Sequence, residues 1–173
     1  METGSSEIEI LAVPQGGEKR RADEVIREQE VVRIDREIHK FYCIPADLEV
    51  MMVGNLKSMG INSSFSKMRK IADNEYNVDL SFVKGLIESP QKCESSKILT
   101  SKEVFDSIEM LDANSLLFQK TGCTHIIGIC GGREIFVEDI SRHCAIDKAI
   151  GLALEDGIDL SNSFLVTSSS GWG

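Results

Sequence analysis

Polar and apolar positions alternate most clearly in VVRIDREIHKFYC, residues 31–43. Val32, Ile34 and Ile38 fall on even positions with polar residues between them. A period of two puts alternate side chains on opposite faces of an extended chain, so a strand or hairpin is predicted there. In the following IPADLEVMMVGNLKSMG the period lengthens. Leu48, Met51, Met52, Leu56 and Met59 recur at helical spacing, and such a methionine stripe reads as core. Pro45 suits a first helical turn, Asp47 and Glu49 suit the positive end of its dipole, and Gly60 offers a stop. SFSKMRKIA and NVDLSFVKGLIE read as two strands with Asp73 and Asn74 near their turn.

A polar loop, SPQKCESSK (89–97), leads to a helix capped by Thr100 or Ser101 and running to about Lys120. Its expected apolar face is Val104, Phe105, Ile108, Leu111, Leu116 and Leu117, with Gly122 at its C-cap. THIIGIC and REIFVED follow as strands around Gly131-Gly132, a tight-turn signal. One more helix buries Ala145, Ile146, Ala149, Ile150, Ala153 and Leu154 and ends at Gly157. SFLVTSS is the last strand. This order predicts an α/β fold, a mixed sheet with helices packed on it.

Composition narrows the function classes. The chain has 173 residues, 42% hydrophobic and 27% charged, with a net charge of −9. That is an ordinary globular balance with room for a core. The acidic excess argues against bulk binding to nucleic acid or to an anionic membrane. No apolar run reaches membrane-spanning length. Residues 1–25 are polar and lack the order of a signal peptide, and they read as a flexible tail. Their Lys19-Arg20-Arg21 cluster reads as solvated charge. The five cysteines, Cys43, Cys93, Cys123, Cys130 and Cys144, have no C-x-x-C spacing, which suggests reduced thiols in a cytoplasmic protein.

Two stretches concentrate chemistry: TGCTH (121–125), at a helix-to-strand passage, and EDISRHCAIDK (138–148), at a strand-to-helix passage. Ligand sites in α/β domains gather at such edges. If Ser141 caps the last helix, Arg142, His143 and Cys144 occupy its first turn. Free N–H groups there bind anions, and Arg142 adds a fork suited to phosphate. The plainer alternative pairs Arg142 with Glu138 or Asp139. His125 could be a base, a partner of His143 or a core histidine. Asp147 follows His143 by one turn and could orient it. Three scattered histidines make no metal site, and no G-x-S-x-G elbow supports a serine hydrolase. Cys93 lies in the polar loop beside Lys92 and near Lys97, which favours a thiolate, although Glu94 opposes it. Cys144 ranks second; Cys43, Cys123 and Cys130 read as structural.

TGCTHIIGIC followed by VEDISRHCAIDKAIGLALEDGIDL resembles the FdhD family, the formate dehydrogenase accessory sulfurtransferases. Thr121, Gly122, His125, Glu138, Asp139, Arg142, His143, Ala145, Asp147, Lys148 and Gly151 fit the family pattern. Upstream, Pro45, Asp47, Glu49, Gly54 and Gly60 fall in register with its early P-x-D-x-E helix. The resemblance spans about residues 28–168. It implies a cytidine deaminase-like fold without zinc, divided into a tail (1–25), an N-terminal segment (26–90), a cysteine loop (91–99) and a core (100–173).

The resemblance also implies a function. Cys93 would take persulfide sulfur from a cysteine desulfurase and pass it to a molybdenum or tungsten bis-guanine-dinucleotide cofactor for formate dehydrogenase. Thr121, Gly122, His125, Asp139, Arg142, His143, Asp147 and Lys148 would bind that cofactor, or GDP in its place, as a ligand and not as a resident group. The alternatives are a nucleotide-binding module without transfer and an inactive shortened homologue. Five positions depart from the pattern. Cys93 lacks the second cysteine of the family loop, Cys144 replaces asparagine, Ser141 replaces glycine, Cys123 replaces the second glycine of T-G-G, and Met59 stands where a glutamate is expected before Gly60. The family pattern continues beyond Ser168, so an incomplete pocket, an open sheet edge and a homodimer are expected.

Overall fold

The computed structural model describes residues 5–11, 19–25, 28–34, 37–60, 68–78 and 98–168. Ser5–Leu11 (β1) and Lys19–Val25 (β2) pair antiparallel. A flexible tail was the expectation there; isoleucines alternating with glutamates in SSEIEIL supply the strand period instead. Glu28–Ile34 (β3) and Glu37–Cys43 (β4) pair antiparallel, the hairpin of the two forms expected there. Leu48–Ser58 (α1) follows, and Gly60 adopts the left-handed conformation (φ 78°) that stops it. Met68–Ala72 (β5) and Glu75–Val78 (β6) turn at Asp73-Asn74, where Asn74 takes φ 57°. The four strands make one sheet, ordered β4-β3-β6-β5, in which β3 and β6 run parallel.

The helix expected from residue 101 to about Lys120 is two helices, Ser101–Asn114 (α2) and Leu116–Thr121 (α3). Thr100 caps α2 in a capping box with Glu103. The break is at Ser115, whose hydroxyl returns to the Asp112 carbonyl at 2.7 Å. Such local bonds compete with helix continuation. His125–Cys130 (β7), Ile135–Asp139 (β8), Arg142–Glu155 (α4) and Phe164–Thr167 (β9) complete the chain. The second sheet is antiparallel, ordered β8-β7-β9.

Two apolar clusters hold these layers. Val32, Ile34, Leu48, Met51, Met52, Leu56 and Val78 join the first sheet to α1, and Cys144 of α4 completes the cluster. Ile127, Ile129 and Ile135 pack on Ala145, Ala149 and Ala153 of α4. Helix α4 is therefore shared between a sheet on one face and α1 on the other. The two helices meet backbone to backbone. A Cβ on Gly54 would lie 1.8 Å from the Asp147 carbonyl oxygen, and one on Gly151 would lie 2.0 Å from that of Val50. Neither position admits a side chain without moving a helix.

The expected apolar faces are only partly buried. Leu111 is buried in α2, but Val104, Phe105 and Ile108 are exposed, as are Leu116 in α3 and Leu154 in α4. Met59, expected in the stripe of α1, is exposed as well. Helical spacing identifies a shared face; a neighbouring element must still cover it.

Candidate functional site

Glu138 and Asp139 are adjacent on β8, so their side chains leave opposite faces of the sheet. Asp139 turns towards α4 and is fully buried. It pairs with Lys148 Nζ at 2.7 Å and accepts N–H groups from Ile44 (3.3 Å to each oxygen) and Ser141 (3.1 Å). Lys148, also buried, donates to the Ile44 carbonyl at 2.8 Å. These bonds fasten the end of β4, the start of α4 and the end of β8 at one point. Two buried charges survive only with such complete pairing.

Glu138 faces the other way. Its carboxylate accepts the N–H groups of Leu117 (2.6 Å) and Phe118 (2.7 Å) and the Thr124 hydroxyl (3.0 Å). It therefore caps the first turn of α3, where unpaired donors need an acceptor. Both carboxylates suggested as partners for Arg142 are thus engaged elsewhere. Among the described residues Arg142 makes no ion pair, and its side chain is exposed beside that of His143. Ser141 does cap α4, accepting the Cys144 N–H at 3.4 Å.

Asp147 faces α1. It accepts from Asn55 Nδ2 at 2.8 Å and from the Ser58 hydroxyl at 3.2 Å. Burial pushes its carboxyl above the ordinary 3.8, against the opposing pull of those two donors and of His143. Cys43 and Cys144 share a hydrogen bond across the β4–α4 contact. That bond holds the Cys144 thiol low and, with burial, pushes Cys43 well up. Cys144 also approaches the Tyr42 carbonyl at 3.8 Å. Cys43 and Cys130 are buried as expected, and Cys144, the second candidate for a reactive thiol, is buried as well; Cys123, read as structural, is exposed just after Gly122 (φ 68°) ends α3.

The residues singled out from the sequence therefore separate. Asp139, Asp147 and Lys148 are interior and tie elements together. Arg142 and His143 project outward from the first turn of α4. His125, half-buried at the start of β7, is the cross-strand partner of Asp139, and among the described residues no hydrogen bond joins it to His143. Thr121 closes α3, its hydroxyl donating to the Leu117 carbonyl at 2.8 Å, and Gly122 follows in the left-handed region. Cys93 lies outside the described residues. Sequence reasoning missed Ile44, Asn55 and Ser58. The available signal was Asn55 and Ser58, two polar residues three apart on a helix that is otherwise apolar on that side. Ile44 acts through its backbone, which leaves no trace in residue type.

Residues 78–170 match the FdhD/NarQ family. The chain belongs to this family. Among curated relatives, the sulfur carrier protein FdhD of Methanothermobacter thermautotrophicus is 26% identical over 184 aligned positions, covering 92% of this chain and 74% of the relative. That of Staphylococcus haemolyticus is 41% identical over 80 positions, covering 44% and 30%. Among solved structures, one described as a formate dehydrogenase accessory protein from Desulfotalea psychrophila superposes with a TM-score of 0.70 at 21% identity. The superposition covers 96% of this chain and 76% of that one. The mixed α/β architecture is thus that of the family. No helix among the described residues is long and apolar enough to cross a membrane.

Proposed function

We propose that this chain is a cytoplasmic sulfur carrier for formate dehydrogenase maturation. The observation that carries the reading is the family match over residues 78–170, which includes the whole E-D-x-x-R-H-x-A-x-D-K stretch. In the sulfur-transfer step the Cys93 thiolate attacks the outer sulfur of a cysteine desulfurase persulfide. The donor S–S bond breaks, a new one forms on Cys93, and the desulfurase leaves as its thiolate, with no net oxidation. The outer sulfur then passes to a molybdenum or tungsten bis-guanine-dinucleotide, which is cargo: the S–S bond on Cys93 breaks, Cys93 leaves as its thiolate, and the two electrons that take the sulfur to sulfide come from the reduced metal of that cargo. Arg142 and His143 are the groups free to meet its phosphates, while Asp139, Asp147 and Lys148 hold the helix that presents them.

Incubation with a desulfurase and cysteine, followed by peptide mass spectrometry, tests the reading. One added sulfur on the Cys93 peptide, lost in Cys93→Ala, is the expected result. No sulfur on that peptide, or unchanged labelling of the variant protein, overturns it.

A second reading, nucleotide binding without sulfur transfer, is favoured by the absence of a second cysteine after Cys93, where Glu94-Ser95-Ser96 follows. Titration with GDP alongside the labelling separates the two: binding without labelling selects the module, and labelling selects the carrier.

A further inference from the structure

Among the described residues strand β8 is an edge of the second sheet, and the register shows which of its backbone groups face outward. Ser168 donates its N–H to the Ile126 carbonyl, and Ile126 donates its own N–H to the Ser168 hydroxyl. The backbone of Ile126, and by alternation of Gly128 and Cys130, therefore faces β9. His125, Ile127 and Ile129 then face β8, where they meet Asp139, Val137 and Ile135. What remains is Phe136 and Glu138, whose N–H and C=O groups point away from the sheet. No described residue pairs with these groups.

A cavity of about 240 Å3 runs along this edge, lined by Ile44, Ala46, Leu117, Phe136, Val137 and Leu152, with Asp47, Glu138 and Lys148 as its charges. Those charges do not cancel. Lys148 is matched by Asp139. Glu138 is met only by N–H and O–H donors, and Asp47, exposed at the start of α1, forms no cap bond with its side chain. Among its lining residues the groove is apolar with a negative surplus of two carboxylates. Leu116 and Phe118 extend the apolar surface, both exposed on the helix that Glu138 caps.

We infer that the β8 edge is a docking site for an extended, basic segment of a partner polypeptide, which adds to the sheet as a strand. The geometry dictates the segment's pattern. Residues opposite Phe136 and Glu138 exchange main-chain bonds with them and direct their side chains to the Leu117 face. The residue between them points to the other face, into the pocket of Ile44, Ala46 and Leu152. An aromatic or aliphatic residue suits the place opposite Phe136, and a small aliphatic residue suits the middle. A lysine or arginine suits the place opposite Glu138, because unlike charges attract across a strand pair and like charges repel. Its test requires neither Cys93 nor a persulfide donor, so it stands apart from the sulfur-transfer reading.

The probe is the capped pentapeptide Thr-Arg-Val-Phe-Thr, whose order fits antiparallel addition. Amide hydrogen exchange on the full chain reads the site directly. In the free protein the Phe136 and Glu138 amides exchange freely, and saturating peptide slows both by roughly fivefold or more. Thr-Glu-Val-Phe-Thr binds about tenfold more weakly, the equivalent of roughly 1.4 kcal/mol. A version N-methylated on its arginine and phenylalanine nitrogens gives no protection, because it cannot donate to the edge. Four results overturn the inference. These are protection of both amides in the free monomer, no protection with about millimolar arginine peptide, equal binding of the glutamate peptide, or equal binding of the N-methylated one. Protection that grows with protein concentration alone assigns the edge to a second copy of this chain and overturns it too.

Discussion

Helices α1 and α2 both carry large apolar residues at helical spacing, and they fare very differently. Leu48, Met51, Met52 and Leu56 of α1 are buried, whereas Val104, Phe105 and Ile108 of α2 are exposed. The capping box of α2 is the better start signal, while Asp47 before α1 sits in the left-handed region with no side-chain cap. Local signals therefore do not explain the difference. Helix α1 has two partners: the first sheet on one side and α4, at glycine contact, on the other. Helix α2 covers the second sheet through Leu111 and leaves Val104, Phe105 and Ile108 exposed. Packing supplies most of the stability of a helix in a protein, and propensity supplies little.

The comparison breaks most sharply at the buried ion pair beside α1. Lys148→Met leaves Asp139 charged and unpaired in the interior, and chemical denaturation should show a loss of about 3–5 kcal/mol. A loss under about 1 kcal/mol means the carboxylate is wetter than its burial indicates. Next in size is the helix crossing. Gly54→Ala or Gly151→Ala forces the two backbones apart and should lower stability by about 3 kcal/mol in the same measurement. At the capped start of α3, Glu138→Gln removes the charge from two N–H bonds, and a loss of about 1–2 kcal/mol is expected. The exposed face of α2 sets the lower end of the scale. Ile108→Ser should stay within about 0.5 kcal/mol of the parent chain; a larger loss shows that this face is covered in solution.

A pH profile sharpens the α1 side. Burial raises the folded-state pKa of Asp147 above its ordinary 3.8. Protonation therefore favours the folded state. This contribution grows as pH falls through the raised folded value towards 3.8, and it is lost as pH rises back through that value. Asp147→Asn cannot titrate. The melting temperature of the parent chain, relative to the variant, should rise over that acid interval. A difference that stays flat or falls there shows that the bonds from Asn55 and Ser58 outweigh burial.

Much of the local structure was legible from residue type and period. The β3–β4 segment, read as a strand or hairpin, the stop at Gly60, the cap read as Thr100 or Ser101, the cap at Ser141 and the turn after β7 all depend on neighbours close in sequence. The family pattern was equally legible, since its ordered positions lie in one stretch. The separation of that pattern into interior and exterior groups was not. Asp139, Arg142, His143, Asp147 and Lys148 look alike as a polar run. Only the packing turned three of them inward, against Ile44, Asn55 and Ser58, residues more than 80 positions away in the chain.

Residue type and period thus established most elements from β3 onward, several of their ends and the family pattern, and missed the β1–β2 pair and the break at Ser115. Backbone preference and side-chain period act over a few residues, and a reader of the chain sees the same few residues. Which apolar face finds a partner, which carboxylate takes the lysine and which strand edge stays open were settled by the tertiary structure. Those outcomes depend on desolvation and close contact between segments distant in the chain, and neither has a value until the segments meet.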